Sequence, residues 1–395
     1  MTFDSYLFAG GFVFITMIHL FLWSKKGKKF SNQHQTYLLQ IAVILIQLLI
    51  AAFFKKEVGD VALFSGAGWH LRHKIDFYWV DANHTQYPFF PFLIFLHAGL
   101  NLLSEILVIF SFSFYLKIIL SGCLLLISHF FIKKKIWQLR FLTSPLIFAS
   151  IYYHGQIDII LLLFLIAAIQ FIQKKQSWGS VIKSSFLFAA SIAAKTWSIL
   201  LLPQIVLKIK SWPKKIAYLA SIGLLLLVNI KFYTSIVFGS SLRTVLAALN
   251  SPGGPMTIWG VSLFLKPIWT LIQNYRLLIF ILVFGLLQLL ILLKKKDLNQ
   301  IALLTIISFY LATPNWGVQY LLWQLPFIFI LAANNKLKVE KKILILASLY
   351  SFVAYLAVSF NQHSETLKQL AILVGLALYF SFVGWFKKLI QKTSS

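Results

Sequence analysis

Apolar residues come in long blocks separated by short polar punctuation. The blocks cover about 5–23, 38–54, 88–104, 105–117, 118–132, 140–153, 158–173, 181–196, 197–210, 215–233, 277–293, 301–314, 320–333, 343–360 and 369–386. Several are shorter than the ~20 residues that cross a bilayer as a helix, so they predict broken or re-entrant helices packed inside the protein. The stretch 88–132 is too long for one helix, and charge parity predicts three there. The pattern as a whole predicts an all-α polytopic membrane protein. It forms a single integral membrane domain over 1–395, with roughly 13–15 transmembrane or re-entrant helices.

Composition removes the competing classes. With 59% apolar and 12% charged residues, the chain carries more apolar surface than a soluble core can bury. The single cysteine, Cys123, excludes a disulfide framework, a cysteine zinc site and an iron–sulfur cluster. A net charge of +26 would suggest nucleic acid in a soluble protein, but here it follows topology. Seven loops at 24–37, 133–140, 174–183, 208–215, 294–296, 336–342 and 387–392 collect 25 of the 36 basic residues. Positively charged loops face the cytoplasm, which places the C-terminus inside and the N-terminus outside a cell membrane. The first block is followed by Lys25, Lys26, Lys28 and Lys29 and has no small-residue cleavage pattern, so it is expected to be retained.

Two non-cytoplasmic segments, 55–87 and 234–276, are longer than a hairpin needs. They hold Trp69, Trp79, Trp259 and Trp269. Such segments are expected to form interfacial helices at headgroup level, with Pro252-Gly253-Gly254-Pro255 breaking the second.

Only ten acidic residues occur, and Glu57, Asp60, Asp76 and Asp81 fall within the first of these segments. Asp60 follows Gly59 directly after a span, so its carboxylate should lie at the membrane surface, able to deprotonate a substrate hydroxyl. Read without chemistry, it is a charge satisfied by Lys55, Lys56 or Arg72. Asp76 and Asp81 can reach Arg72 and Lys74 and are read as structural. Asp4 is read as a solvated terminal charge, and Glu105 as a helix-turn residue. Lys195, between Ala193-Ala194 and Thr196-Trp197, is either a phosphate clamp or a lysine snorkelling to headgroups. Its small neighbours favour the clamp. His70, His73, His84, His97 and His154 show no ligand spacing, so neither a metal nor a cofactor is expected.

Four elements occur in one order: Gly59-Asp60…Phe64…Ala67…Tyr87-Pro88-Phe89-Phe90-Pro91; His154-Gly155-Gln156-Ile157-Asp158; Ala193-Ala194-Lys195-Thr196-Trp197…Pro203; and Thr313-Pro314-Asn315-Trp316…Gln319-Tyr320…Trp323…Pro326. Together they resemble the GT-C superfamily of membrane glycosyltransferases, most closely its bacterial polyprenyl-phosphate-mannose-dependent branch. The resemblance implies a GT-C-like bundle in which Asp60 is the catalytic base. It also implies that His154, Gln156, Asp158, Lys195, Tyr87, Gln319 and Tyr320 contact substrate. Lys195, Arg72, Lys74, Arg243, Lys266 and Arg276 are the non-cytoplasmic or intramembrane cations available to hold a donor phosphate. The implied partners are a polyprenyl-phosphate sugar (mannose), a lipid or glycan acceptor and membrane lipids, with no nucleic acid. Such a donor carries its own stable leaving group, so one base suffices for an inverting displacement, without the second carboxyl that glycoside hydrolases need. Two other classes are a saccharide transporter, which would place polar residues at mid-bilayer depth, and a polymerase or ligase with a lipid-diphosphate donor.

Overall fold

A computed structural model describes residues 3–33, 36–54, 60–78, 89–249, 275–294, 296–313, 317–359 and 365–391. Every regular element among them is helical. Among the described residues, four helices are long and apolar enough to cross a membrane: α1 (Phe3–Trp23), α6 (Phe112–Phe131), α11 (Trp212–Ile236) and α17 (Glu365–Gln391). Their outward faces carry large exposed apolar side chains, such as Leu224, Leu227, Val228 and Phe232 on α11. Water would penalise an apolar surface of this extent, whereas lipid does not. The architecture is that of an all-α membrane protein.

The chain divides into two compact units. The first comprises 1–43, 128–150 and 254–395, and the second 44–127 and 151–253. In the first unit, α14 (Leu298–Ala312) and α15 (Gln324–Ala333) are buried on nearly every side, as expected for helices that are apolar all round. Asp297 starts α14 with a capping box. Its carboxylate accepts from the Asn299 and Gln300 amides, and the Gln300 side chain returns to the Asp297 N–H. Helix α16 (Lys341–Ser359) packs on α17 and on α1.

In the second unit, α8 (Asp158–Lys174) packs on α9 (Trp178–Ala194), and α9 packs on α11. Ser184 Oγ donates to the Ala168 carbonyl at 2.9 Å, joining α8 to α9 without exposing a polar group. Helices α4 (Val61–Arg72) and α5 (Phe92–Ile106) form a tight pair. Gly68 permits it, because a Cβ there would lie 2.5 Å from the His97 carbonyl carbon. Asn101 Nδ2 donates to the Ser65 carbonyl at 2.7 Å, and Arg72 Nη2 donates to Glu105 Oε2 at 2.6 Å.

Several sequence expectations change. The stretch 88–132 holds two helices, α5 and α6, rather than three. Leu107–Phe110 supply the turn despite being apolar, so hydropathy alone merges them with their neighbours. The predicted 140–153 block begins earlier, as α7 (Lys135–Leu142). It breaks at Thr143-Ser144-Pro145 and ends in a π-helical turn, Phe148–Tyr153; proline cannot continue a helix from behind. The 197–210 block is a 3-10 turn, Thr196–Leu201, followed by α10 (Leu202–Lys208). The basic loop after α1 is itself a helix, α2 (Lys25–Gln33). Asp4 is buried, not solvated. Of the two long segments, α4 and α12 (Leu242–Leu249) are helical as expected. The Pro252–Pro255 break and Trp79, Asp81, His84, Tyr87, Pro88, Trp259, Trp269 and Pro314 lie outside the described residues.

Candidate functional site

Asp60 occupies the N-cap position of α4, where an aspartate usually accepts from the first helical amides. Its carboxylate makes no capping bond. It instead accepts from Gln156 Nε2 at 2.8 Å. Gln156 is fully buried, and its amide nitrogen also lies 2.8 Å from His154 Nδ1. One Nε2 hydrogen is thus directed to the carboxylate and the other to the imidazole, which requires the Nε2–H tautomer of His154. Removal from water holds the His154 imidazole below the usual histidine pKa. Asp60 opposes that shift, Lys195 adds to it and Asp158 opposes it. All three charges therefore act on one imidazole. Gln156 Oε1 is buried and has no partner among the described residues.

The turn that carries this network depends on Gly155, which has φ +72°. A Cβ there would approach Val61 Cγ2 to 2.4 Å, and Val61 directly follows Asp60. The glycine therefore sets both the turn and its contact with the start of α4. Gly155→Ala is expected to cost at least the ~1–2 kcal/mol of a left-handed non-glycine residue. It should also push Asp60 away from Gln156. Thermal unfolding of the purified variant checks the first effect, and adding Val61→Ala should recover the contact part of the loss but not the backbone part.

One turn of chain further on, Asp158 begins α8 with its side chain fully buried. Lys195, in extended backbone between α9 and the following 3-10 turn, donates to Asp158 Oδ2 at 2.9 Å. Its side chain is 9% exposed, and its ammonium lies 5.5 Å from the centre of the Phe89 ring. The lysine does not snorkel to a surface. A carboxylate at the first residue of a helix is also favoured by the helix dipole.

The remaining sequence candidates have other partners, are exposed, belong to the other unit or lie outside the described residues. Arg72 is not the partner of Asp60; it pairs with Glu105. Asp76 does not pair with Arg72 or Lys74 either: Oδ1 accepts from the Tyr233 hydroxyl and the Tyr78 amide, each at 3.1 Å. Arg243 is exposed on α12. Gln319 and Tyr320 belong to the other unit, in a 3-10 turn where the Tyr320 carbonyl accepts from the Tyr310 hydroxyl at 2.6 Å. Tyr87, Lys55 and Lys56 lie outside the described residues. Among those described, no three His, Cys, Asp or Glu side chains are grouped to hold a metal.

Sequence reasoning missed Lys117. It lies in the second turn of α6, 3% exposed, with its ammonium 5.4 Å from the Phe54 ring centre. Phe54 in turn meets Tyr153 edge-on at 5.2 Å, next to His154. A lysine inside an otherwise apolar run was the available signal; drawing a span boundary at 117 hid it.

The site is thus a half-buried carboxylate steered by a buried glutamine and a neutral histidine, beside a buried ion pair. The sequence matches no protein-family model and no curated protein.

Proposed function

We propose that this protein is a membrane glycosyltransferase that moves a sugar, mannose in the closest resemblance, from a polyprenyl phosphate to a hydroxyl acceptor at the non-cytoplasmic face. The observation that carries the reading is the Asp60–Gln156–His154 network. An aspartate that forgoes its helix-capping bonds in favour of a buried glutamine is held in one orientation. Orientation is what a general base needs. In the proposed step the acceptor O–H proton passes to Asp60 as the acceptor oxygen bonds to the anomeric carbon. The bond from that carbon to the phosphate oxygen breaks, and polyprenyl phosphate leaves as the anion. The displacement inverts the anomeric carbon. Gln156 Oε1 offers a buried acceptor for a substrate hydroxyl, and filling it would remove a penalty of ~1–3 kcal/mol for an unsatisfied group. Lys195, fixed by Asp158, supplies positive charge for the phosphate. A donor-swap assay on purified protein tests the reading. Turnover with a polyprenyl monophosphate sugar supports it, whereas turnover with a lipid diphosphate donor alone identifies a polymerase or ligase.

The sidedness belongs to the same proposal. With two helices in 88–132, the lysine bias is kept only if one of them does not cross the bilayer. Helix α5, at 15 residues, is about 22 Å long and shorter than the ~30 Å hydrocarbon core. Its last turn carries Glu105, half-exposed and bound to Arg72 of α4, a pair suited to headgroup level rather than to lipid. Helices α4 and α5 therefore lie along the outer face, α6 crosses, and the outer segment extends to Ser111. Leu107–Phe110, all exposed, would dip into the outer leaflet. In cells a Ser111→Cys variant should react with a membrane-impermeant maleimide added from outside, against low background because Cys123 is buried. Labelling only after permeabilisation would reverse the assignment of α5.

A further inference from the structure

A cavity of about 410 Å³ opens in the first unit between α1 and α16. Phe12, Leu20, Pro145, Leu344, Ile345 and Leu349 form much of its wall. Three polar side chains on that wall, Thr16, Ser348 and His19, are already engaged. Thr16 Oγ1 donates to the Phe12 carbonyl at 2.7 Å, and Ser348 Oγ donates to the Leu344 carbonyl at 2.8 Å. Thr143 Oγ1 donates to the Leu139 carbonyl, so it accepts from His19 Nδ1 at 3.1 Å. The other imidazole nitrogen accepts from Trp23 Nε1 at 2.9 Å. Away from Lys341 and Ser144, such a wall offers an occupant apolar contact.

The cavity is long and charged at one end only. Phe12 and Trp23 are eleven residues apart on α1, about 16 Å at the helical rise. At the Trp23 end, Lys341 Nζ lies 4.9 Å from the Trp23 ring centre, and the Arg140 guanidinium lies 4.2 Å from it. Helix α2, with Lys25, Lys26, Lys28 and Lys29, begins two residues after Trp23. Glu340, the acid beside Lys341 in the chain, is bound to Lys388. Helix α1 has no lysine or arginine, and α16 has none after Lys342.

An apolar slot with cations and a tryptophan at one mouth has the complementarity of a single lipid: chain inside, anionic head outside. Basic pockets between membrane helices bind anionic headgroups for this reason. We propose that this slot is a binding site for one hydrocarbon chain of an anionic phospholipid, with the headgroup phosphate against Lys341. The proposal is independent of the glycosyltransferase reading, since it uses residues of the other unit.

The test is native mass spectrometry of the full-length protein after delipidation. Phosphatidylglycerol or phosphatidylcholine with the same acyl chains is then added back. The wild type should retain phosphatidylglycerol several-fold better. Ser348→Trp, which fills the slot, should lose retention of both lipids. Lys341→Gln should keep chain binding but equalise the two. Leu349→Phe fills the same slot if Ser348→Trp lowers the melting temperature. Equal retention of the two lipids by the wild type would overturn the proposal. So would wild-type retention of phosphatidylglycerol in the slot-filling variant, or an unchanged preference in Lys341→Gln.

Discussion

Asp60→Asn is expected to lower turnover by ~10²–10⁴, the usual worth of a general base, while the fold and donor KM stay near wild type. At 1.36 kcal/mol per tenfold, that is about 2.7–5.4 kcal/mol of barrier. Asparagine preserves the shape and keeps a carbonyl oxygen for Gln156 Nε2, which donates to Asp60 at 2.8 Å, so the steering network survives without the basicity. No capping bond is lost, because the Asp60 carboxylate makes none. Asp76→Asn should cost far less turnover, since that carboxylate serves the Tyr233 hydroxyl and the Tyr78 amide. Single-turnover rates and thermal unfolding on the same preparations separate chemistry from folding. Near-full activity in Asp60→Asn, together with its loss in Asp158→Asn, would move the base to the other carboxylate.

The sequence made the helical class legible because apolar blocks of this length have few other destinations. It also singled out Asp60, Gln156, Asp158 and Lys195, since a rare charge or amide beside a glycine or alanine pair stands out against leucine and phenylalanine. Partners were harder to read. Asp60 was offered Lys55, Lys56 or Arg72, yet among the described residues it bonds a glutamine 96 residues away, and Arg72 bonds Glu105. Nothing local encodes such pairings; they arise when Gly155 and Gly68 let turns and helices approach more closely than a side chain would allow. The apolar turn at Leu107–Phe110 was invisible for the opposite reason. Turn chemistry normally announces itself through polar residues, glycine or proline, and Leu107–Phe110 contain none of them.

The Lys195–Asp158 pair should show the largest effect on stability. Removing one member leaves the other buried without its ion-pair partner, a loss of ~3–5 kcal/mol, so Lys195→Met and Asp158→Leu should each lower the melting temperature sharply. The double variant should recover most of that loss, because replacing a buried pair by apolar groups of similar volume is often nearly neutral. Turnover in the double variant then separates two roles that the single variants confuse. If Lys195 holds the donor phosphate, the double variant regains stability but not activity, and its donor KM rises or its turnover stays low while acceptor binding is kept. If the pair only fastens α8 to the end of α9, activity returns together with the melting temperature. The ion pair would then be scaffold for Gln156 and Asp60, and the phosphate would have to be held by another cation, with Lys117, buried beside Phe54, the first to substitute.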